Sequence, residues 1–286
     1  MKSELKELKR TEFPPSLLEI PEPPRQLFVR GALPSDSHSW IAVVGSRSCT
    51  PYGRQCVSHL IGGLSGYPVA IISGLAYGID AAAHRAALDA GLRTVGVPGS
   101  GLDWDVIYPR AHVSLAREIV ESGGALLSEF APTQKAAEYT FPQRNRIMVG
   151  LCKAVLVIEA KERSGSLITA RLTGEYNREL LVVPGSIFSA ESRGTHQFLK
   201  LGATPVTEPE DILRALGIEP REAGARIDRR DLTADEVRVL EALTTPLSRD
   251  ELGAALDMTI AQMNTLLSMM EIKNLIVEEF GSIRRK

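Results

Sequence analysis

The sequence predicts an α/β protein with a doubly wound, mostly parallel sheet, followed by a small winged-helix-like domain. Three observations carry this. Six short apolar runs alternate with helical stretches between residues 40 and 218. Those runs are continuous rather than alternating with polar residues, as in parallel strands buried on both faces. Beyond residue 231 the pattern changes to three helical stretches and a pair of short β-like runs around Gly281.

Residues 1–39 open with the charged segment KSELKELKR and then carry Pro14, Pro15, Pro21, Pro23, Pro24 and Pro34. Proline at this density breaks helices, so the segment reads as an N-terminal arm, with LFVRG (27–31) pairing as an edge strand. Its six Lys/Arg balance six Asp/Glu, so it is not a basic tail. The main domain, 40–218, has strand-like runs at 41–44, 69–73, 93–97, 125–129, 154–160 and 180–184. Helical patterns fall near 51–65, 78–91, 111–122, 143–151, 166–178 and 194–201. Right-handed crossovers place such helices on both faces of the sheet. Residues 219–231, EPREAGARIDRRD, read as a linker. In 232–286, Thr233 with Glu236 three residues on is a capping-box start. Leu252, Leu256, Ile260, Met263, Leu266, Leu267 and Met270 form an apolar stripe expected to be core.

A chain of 286 residues with 44% hydrophobic and 24% charged residues is ordinary globular composition. The net charge of −2 carries no global polyanion-binding signal, so any nucleic-acid site must be a local patch. Cys49, Cys56 and Cys152 form no C-x-x-C pair, which fits reduced thiols in the cytoplasm. No apolar run approaches the ~18 residues that span a bilayer.

The candidate site residues gather at strand ends. IAVVGSR (41–47) is a strand, a glycine turn at Gly45, then Ser46 and Arg47, whose planar guanidinium suits phosphate. A helix beginning at Pro51 is expected to turn its amides toward the same crevice. SGLAYGIDAAAH (73–84) repeats the device through Ser73, Gly74 and Gly78, with amides near Gly78, Ile79 and Asp80 expected to face the crevice. Asp80 and His84 read as an acid–base pair or as a capping carboxylate with a packed histidine behind it. VPGSGLDWDVIYP (97–109) supplies a glycine loop with Asp103 and Asp105, a turn-forming or metal-binding pair. In TFPQRNRIMVG (140–150), Phe141 can stack on a base while Arg144 and Arg146 contact phosphate beside Asn145; core packing and salt bridges are the competing reading. Near Lys161, the turn Ser164, Gly165 and Ser166 at a helix start forms an anion site. No nucleophile, base and metal set assembles, so the expectation is no catalytic residue, metal or cofactor.

Taken in order, the motifs GSR (45–47), SGLAYGID with AAAH (73–84), GSGLD with YP (99–109), SE (128–129), FPQRNR (141–146), EA (159–160), SGSLITA (164–170), PG (184–185) and G-T-H with LGA (194–203) resemble the DprA (Smf) family of DNA-processing proteins. The resemblance covers about 160 residues. It implies a Rossmann-like domain that binds single-stranded DNA without enzymatic chemistry. It also implies protection of incoming DNA in natural transformation, loading of RecA, displacement of single-strand-binding protein, and a homodimer. The DNA pocket is then expected at Gly45, Ser46, Arg47, the Ser73–Gly78 turn and Phe141 with its arginines. Two positions depart from the family pattern: Asn177 replaces a usual glycine, and His196 a usual asparagine. Many members carry a helical domain before this region, and 39 residues are too few for one at this proline content.

The dimer contact is expected on the apolar face of 194–206, at Phe198, Leu199 and Leu201. The competing enzyme class, phosphoribohydrolases on a similar scaffold, carries P-G-G-x-G-T, whereas this chain has P-G-S at 98–100 and 184–186. A third possibility is a scaffold whose winged helix does the main work. That segment carries six Lys/Arg and nine Asp/Glu, and its candidate recognition helix, TIAQMNTLLSMM, has no arginine. A protein-contact role is favoured over duplex binding, with Arg284, Arg285 and Lys286 leaving a weak DNA role open.

Overall fold

The computed structural model describes residues 4–162, 165–220, 232–243, 247–256, 258–273, 275–279 and 281–285, with side chains at 166, 167, 272, 279 and 285 left aside. The chain divides into two units, Met1–Pro220 and Arg221–Lys286.

The first unit is built on a nine-stranded sheet. In chain order its elements are β1 (Leu5–Glu7), α1 (Pro15–Leu18), β2 (Phe28–Gly31), β3 (Ser39–Val44), α2 (Pro51–Gly62), β4 (Val69–Ser73), α3 (Ile79–Asp89), β5 (Arg93–Gly96), α4 (Val113–Glu121), β6 (Ala125–Ser128), α5 (Thr140–Leu151), β7 (Ala154–Val157), α6 (Ser166–Glu175), β8 (Glu179–Val182), α7 (Arg193–Lys200), β9 (Thr204–Pro205) and α8 (Pro209–Ala215). The strand order is β1-β2-β6-β5-β4-β3-β7-β8-β9. From β6 to β9 every pairing is parallel; β2 joins β6, and β1 joins β2, antiparallel.

The continuous apolar runs are buried on both faces, as their composition requires. In β3, Ala42 and Val44 join the core cluster that contains Met148 and Val149 of α5. Ile41 and Val43 point the other way, to Val57, Leu60 and Ala83 of α2 and α3.

The N-terminal segment departs from the expected arm. LFVRG does join the sheet, but it is not the edge: the charged Leu5–Glu7 lies outside it. Phe13, Leu17, Ile20 and Leu27 are buried in the core cluster of α5. A Cβ on Gly150 of α5 would come within 2.9 Å of both Leu17 and Ile20, so that glycine lets α1 lie against the helix. The apolar residues between the prolines thus supply what the prolines deny: burial without long regular structure.

The chain runs from β3 outward through β4, β5 and β6, then returns to place β7 on the other side of β3. The neighbours β3 and β7 therefore form the switch point of the sheet, where connections leave in opposite directions and a crevice opens beyond the strands' carboxyl ends.

The second unit holds α9 (Ala234–Ala242), α10 (Arg249–Leu256), α11 (Ile260–Ile272) and the hairpin β10 (Ile276–Glu279) with β11 (Ser282–Arg285). Leu247 bridges Ile283, adding a third short partner to the hairpin. This is a winged helix. Thr233 and Glu236 form the capping box expected, and Thr259 with Gln262 form a second. Leu252, Leu256, Met263, Leu267 and Met270 are buried and Leu266 is partly so. Ile260 is not: it is 79% exposed, because it opens α11 before the helix reaches the core.

Candidate nucleic-acid interface

A cleft of about 410 Å³ opens at the switch point. Its floor is the turn after β3, Val44 to Ser48; one wall carries Phe141, Pro142, Arg144, Asn145 and Met148 of α5, and the other Lys161, Gly165, Ile168 and Thr169, with Ala76 and Asp80 at the β4 end.

Two glycines make the floor. At Gly45 a Cβ would meet the Ile79 side chain at 2.6 Å. Gly78 has φ 75° and lies under the Ser46–Arg47 peptide, its own Cβ position 2.2 Å from the Ser46 carbonyl oxygen. Ile79 N–H donates to that carbonyl at 3.1 Å. Gly78 therefore supports the first turn from beneath, while Ala76 is the residue of the second turn that reaches the crevice, and the Ile79 amide is already used. Ser46 is buried and its hydroxyl accepts from Ser48 N–H at 3.2 Å.

Arg47 stands exposed above this floor, its guanidinium carbon 5.1 Å from the Phe141 ring centroid. Among the described residues no carboxylate pairs with it. Phe141 is half-buried at the first turn of α5, which Thr140 fixes by donating to Gly99 O at 2.6 Å. The ring packs so closely on Gly99 that a Cβ there would lie 2.7 Å from it. Tyr108 flanks the same ring, centroids 5.9 Å apart.

Arg144 and Arg146 have different fates. Arg144 is 4% exposed; one terminal nitrogen donates to Val97 O at 2.6 Å, and Nε has no acceptor among the described residues. Burial lowers the pKa of its guanidinium, opposed by Asp80. Asp80 is also buried; desolvation pushes its carboxyl up, opposed by Arg144 and the Ala76 and Gly74 amides. Gly74 and Ala76 N–H donate to the Asp80 carboxylate at 3.1 and 3.3 Å, so Asp80 ties down the β4 turn. Arg146 faces away from the cleft. It pairs with Glu129 and donates to Glu22 O, bracing the N-terminal segment. The arginine period explains the split: two residues apart on a helix, the side chains leave on different faces.

Ser73 is buried with its hydroxyl donating to Val43 O at 2.7 Å, and Gly74 lies against the Arg144 guanidinium; both lie beneath the cleft. Gly45, Ser46, Arg47, Phe141, Arg144, Asn145 and Gly165 are brought together. Ser164 lies outside the described residues, and of Ser166 only the backbone, the first residue of α6, is described. The α2 amides do not face the crevice: Thr50 N–H donates to Glu159 at 2.9 Å and Gly53 N–H to the Thr50 hydroxyl at 3.1 Å. An internal carboxylate occupies that positive helix end.

Asp80 and His84 do not act as a pair. His84 is fully buried, its Nδ1 2.7 Å from the Thr94 hydroxyl, and burial drives its pKa down to about 3. Asp103 sits 3.8 Å from Arg30, and the described residues hold no cluster of three potential metal ligands. Lys161, noted in the sequence beside the Ser164–Ser166 turn, was not assigned to the site there. It lines the cleft and pairs with Glu191 at 3.1 Å; its place just before a glycine turn was the available signal. Asn177 adopts φ 52°, so the left-handed turn survives without glycine, and His196 Nε2 lies 3.1 Å from Gly185 O. Phe198 is in the core, Leu199 packs partly against it, and Leu201 is 81% exposed. Among the described residues no helix is long and apolar enough to cross a membrane.

A family model described as DNA recombination-mediator protein A matches residues 5–217, and one described as DprA winged helix domain matches residues 223–281. Protein Smf of Escherichia coli is 46% identical over 204 residues, 71% of this chain and 54% of that protein. DNA processing protein DprA of Streptococcus pneumoniae is 44% identical over 201 residues, 70% of each chain. The chain thus spans about half of the first relative's length and 70% of the second's. Among solved structures, S. pneumoniae DprA aligns with TM-score 0.69 at 40% identity, covering 74% of this chain and 75% of that one. Helicobacter pylori DNA processing protein A, described for its single-stranded DNA binding mode, aligns with TM-score 0.66 at 28% identity over 76% and 98%. The mostly parallel sheet and the C-terminal winged helix agree with these matches: the chain belongs to the DprA family of DNA recombination-mediator proteins.

Proposed function

We propose that this protein binds single-stranded DNA in the Gly45 cleft, shields it, and delivers it to RecA during natural transformation, without catalysing a reaction on it. The observation that carries the reading is Arg47, an exposed guanidinium held over Phe141 at 5.1 Å in a cleft that also presents Asn145, Lys161 and the buried Arg144. A cation beside an aromatic ring grips phosphate and stacks a base without reading sequence. Phosphate contacts release counterions, so affinity falls with salt. The single-strand description of the H. pylori relative supports the same substrate.

Membership of the family supports RecA loading and action on strands covered by single-strand-binding protein, and a homodimer would set two clefts on one strand and raise affinity by effective concentration. Leu201 is the surface residue to carry that contact. The setting is the cytoplasm.

The test is fluorescence anisotropy with labelled oligo-dT over a salt series, comparing wild type with Arg47→Ala. A roughly 10-fold loss and a shallower salt slope support the cleft; unchanged binding overturns it. RecA filament growth on covered strands, with and without the protein, tests delivery.

A further inference from the structure

We propose that the strand leaving the cleft continues over an exposed aromatic track made by Tyr108 and Tyr77, so that the single-strand site is longer than the cleft itself. The proposal rests on the single-strand reading of the Gly45 cleft.

Three observations meet here. Tyr108 is 48% exposed and its ring stands 5.9 Å from Phe141, tilted at 55°, which puts a second aromatic next to the one inside the cleft. Tyr77 is 47% exposed and follows Ala76, a cleft residue; its ring packs against His112 at 5.0 Å, and His112 Nδ1 lies 2.6 Å from Leu75 O. Single exposed rings are common; here one touches the cleft's Phe141, the other directly follows the cleft residue Ala76, and each is held by a ring contact, so each offers a stacking face next to the cleft. The neighbouring Trp104 differs. The guanidinium carbons of Arg30 and Arg117 already lie 4.8 and 4.2 Å from its ring, so this chain's own cations occupy it. It serves to hold Arg117, exposed at the surface beside the track.

Charge supports the same side: Lys161 is already paired with Glu191 at 3.1 Å, so its charge is largely spent within the protein. The tyrosine side offers Arg110 and Arg117 instead, Arg110 using one donor on Trp104 O at 2.6 Å.

The experiment measures affinity of wild type, Tyr108→Ala, Tyr77→Ala, Tyr108→Phe, Tyr77→Phe and Arg47→Ala for three strands: oligo-dT of about 4 nucleotides, oligo-dT of about 16, and an abasic strand of the longer length. Thermal melts confirm that each variant is folded. Each tyrosine-to-alanine change is expected to cost on the order of 10-fold on the long oligo-dT and nothing on the short or abasic strand, with phenylalanine restoring binding. Arg47→Ala is expected to weaken all three. If folded Tyr108→Ala and Tyr77→Ala bind the long strand like wild type while Arg47→Ala does not, the track is overturned and the cleft stands. If Arg47→Ala also binds normally, both fall.

Discussion

The α-carbon of Gly78 lies beneath the carbonyl of Ser46, so close that a methyl group there would stand 2.2 Å from the oxygen. Gly78 also has φ 75°. Gly78→Ala is therefore expected to cost about 1–3 kcal/mol for the backbone conformation alone, and to lift the Ser46–Arg47 turn. Thermal melting and oligo-dT affinity should fall together, whereas Arg47→Ala should lower affinity with the melt unchanged.

Arg144 and Asp80 are buried together at the cleft floor. Each opposes the other's desolvation without a direct ion pair joining them among the described residues, so removing one leaves the other less compensated. Arg144→Met should lower stability sharply, and Arg144→Met with Asp80→Asn should recover part of it. Denaturant titration of the three proteins gives the coupling.

His84 makes the fold sensitive to acid. Its folded pKa, about 3, lies below the ordinary 6.5, so the unfolded chain binds the proton first. Stability from its neutral ring is present above pH 6.5 and is lost as pH falls toward 3, by about 1.4 kcal/mol per unit. Asp80 shifts upward and has the opposite sign. The difference between wild type and His84→Gln, measured by chemical denaturation across that window, isolates the histidine; parallel curves would refute the assignment.

Lys161 spends its charge on Glu191. Lys161→Ala should weaken oligo-dT binding and lessen the salt slope by about 0.7. Glu191→Gln, which frees the lysine, should strengthen binding on the order of 2- to 5-fold.

The winged helix carries net negative charge and an α11 without arginine. A chain ending at Pro220 should keep most of its oligo-dT affinity in the same anisotropy assay; a loss of more than 10-fold would move DNA binding to the second unit.

The sheet was legible because strands buried on both faces must be apolar throughout, as Ile41 to Val44 are. Leu5–Glu7 was not, since an edge strand needs one partner and tolerates Lys6 and Glu7. Thr204–Pro205 is two residues long, below any periodic signal. In the site, Gly45, Ser46, Arg47 and Phe141 followed from strand ends and a helix start. Residue type did not tell Arg144 from Arg146: burial against Val97 O and pairing with Glu129 depend on which way α5 rotates. Gly78 was recognised as a turn glycine, but that it props another turn is a fact of strand order, not of its own neighbours.

The two margins of the sheet also govern how copies can crowd. β1 is three residues with Lys6 and Glu7, and β9 is two residues ending in Pro205, which has no N–H to offer. Short, charged or proline-blocked margins do not template further strands. Copies of this unit can therefore stand side by side at high local density without zipping their sheets into a common fibre.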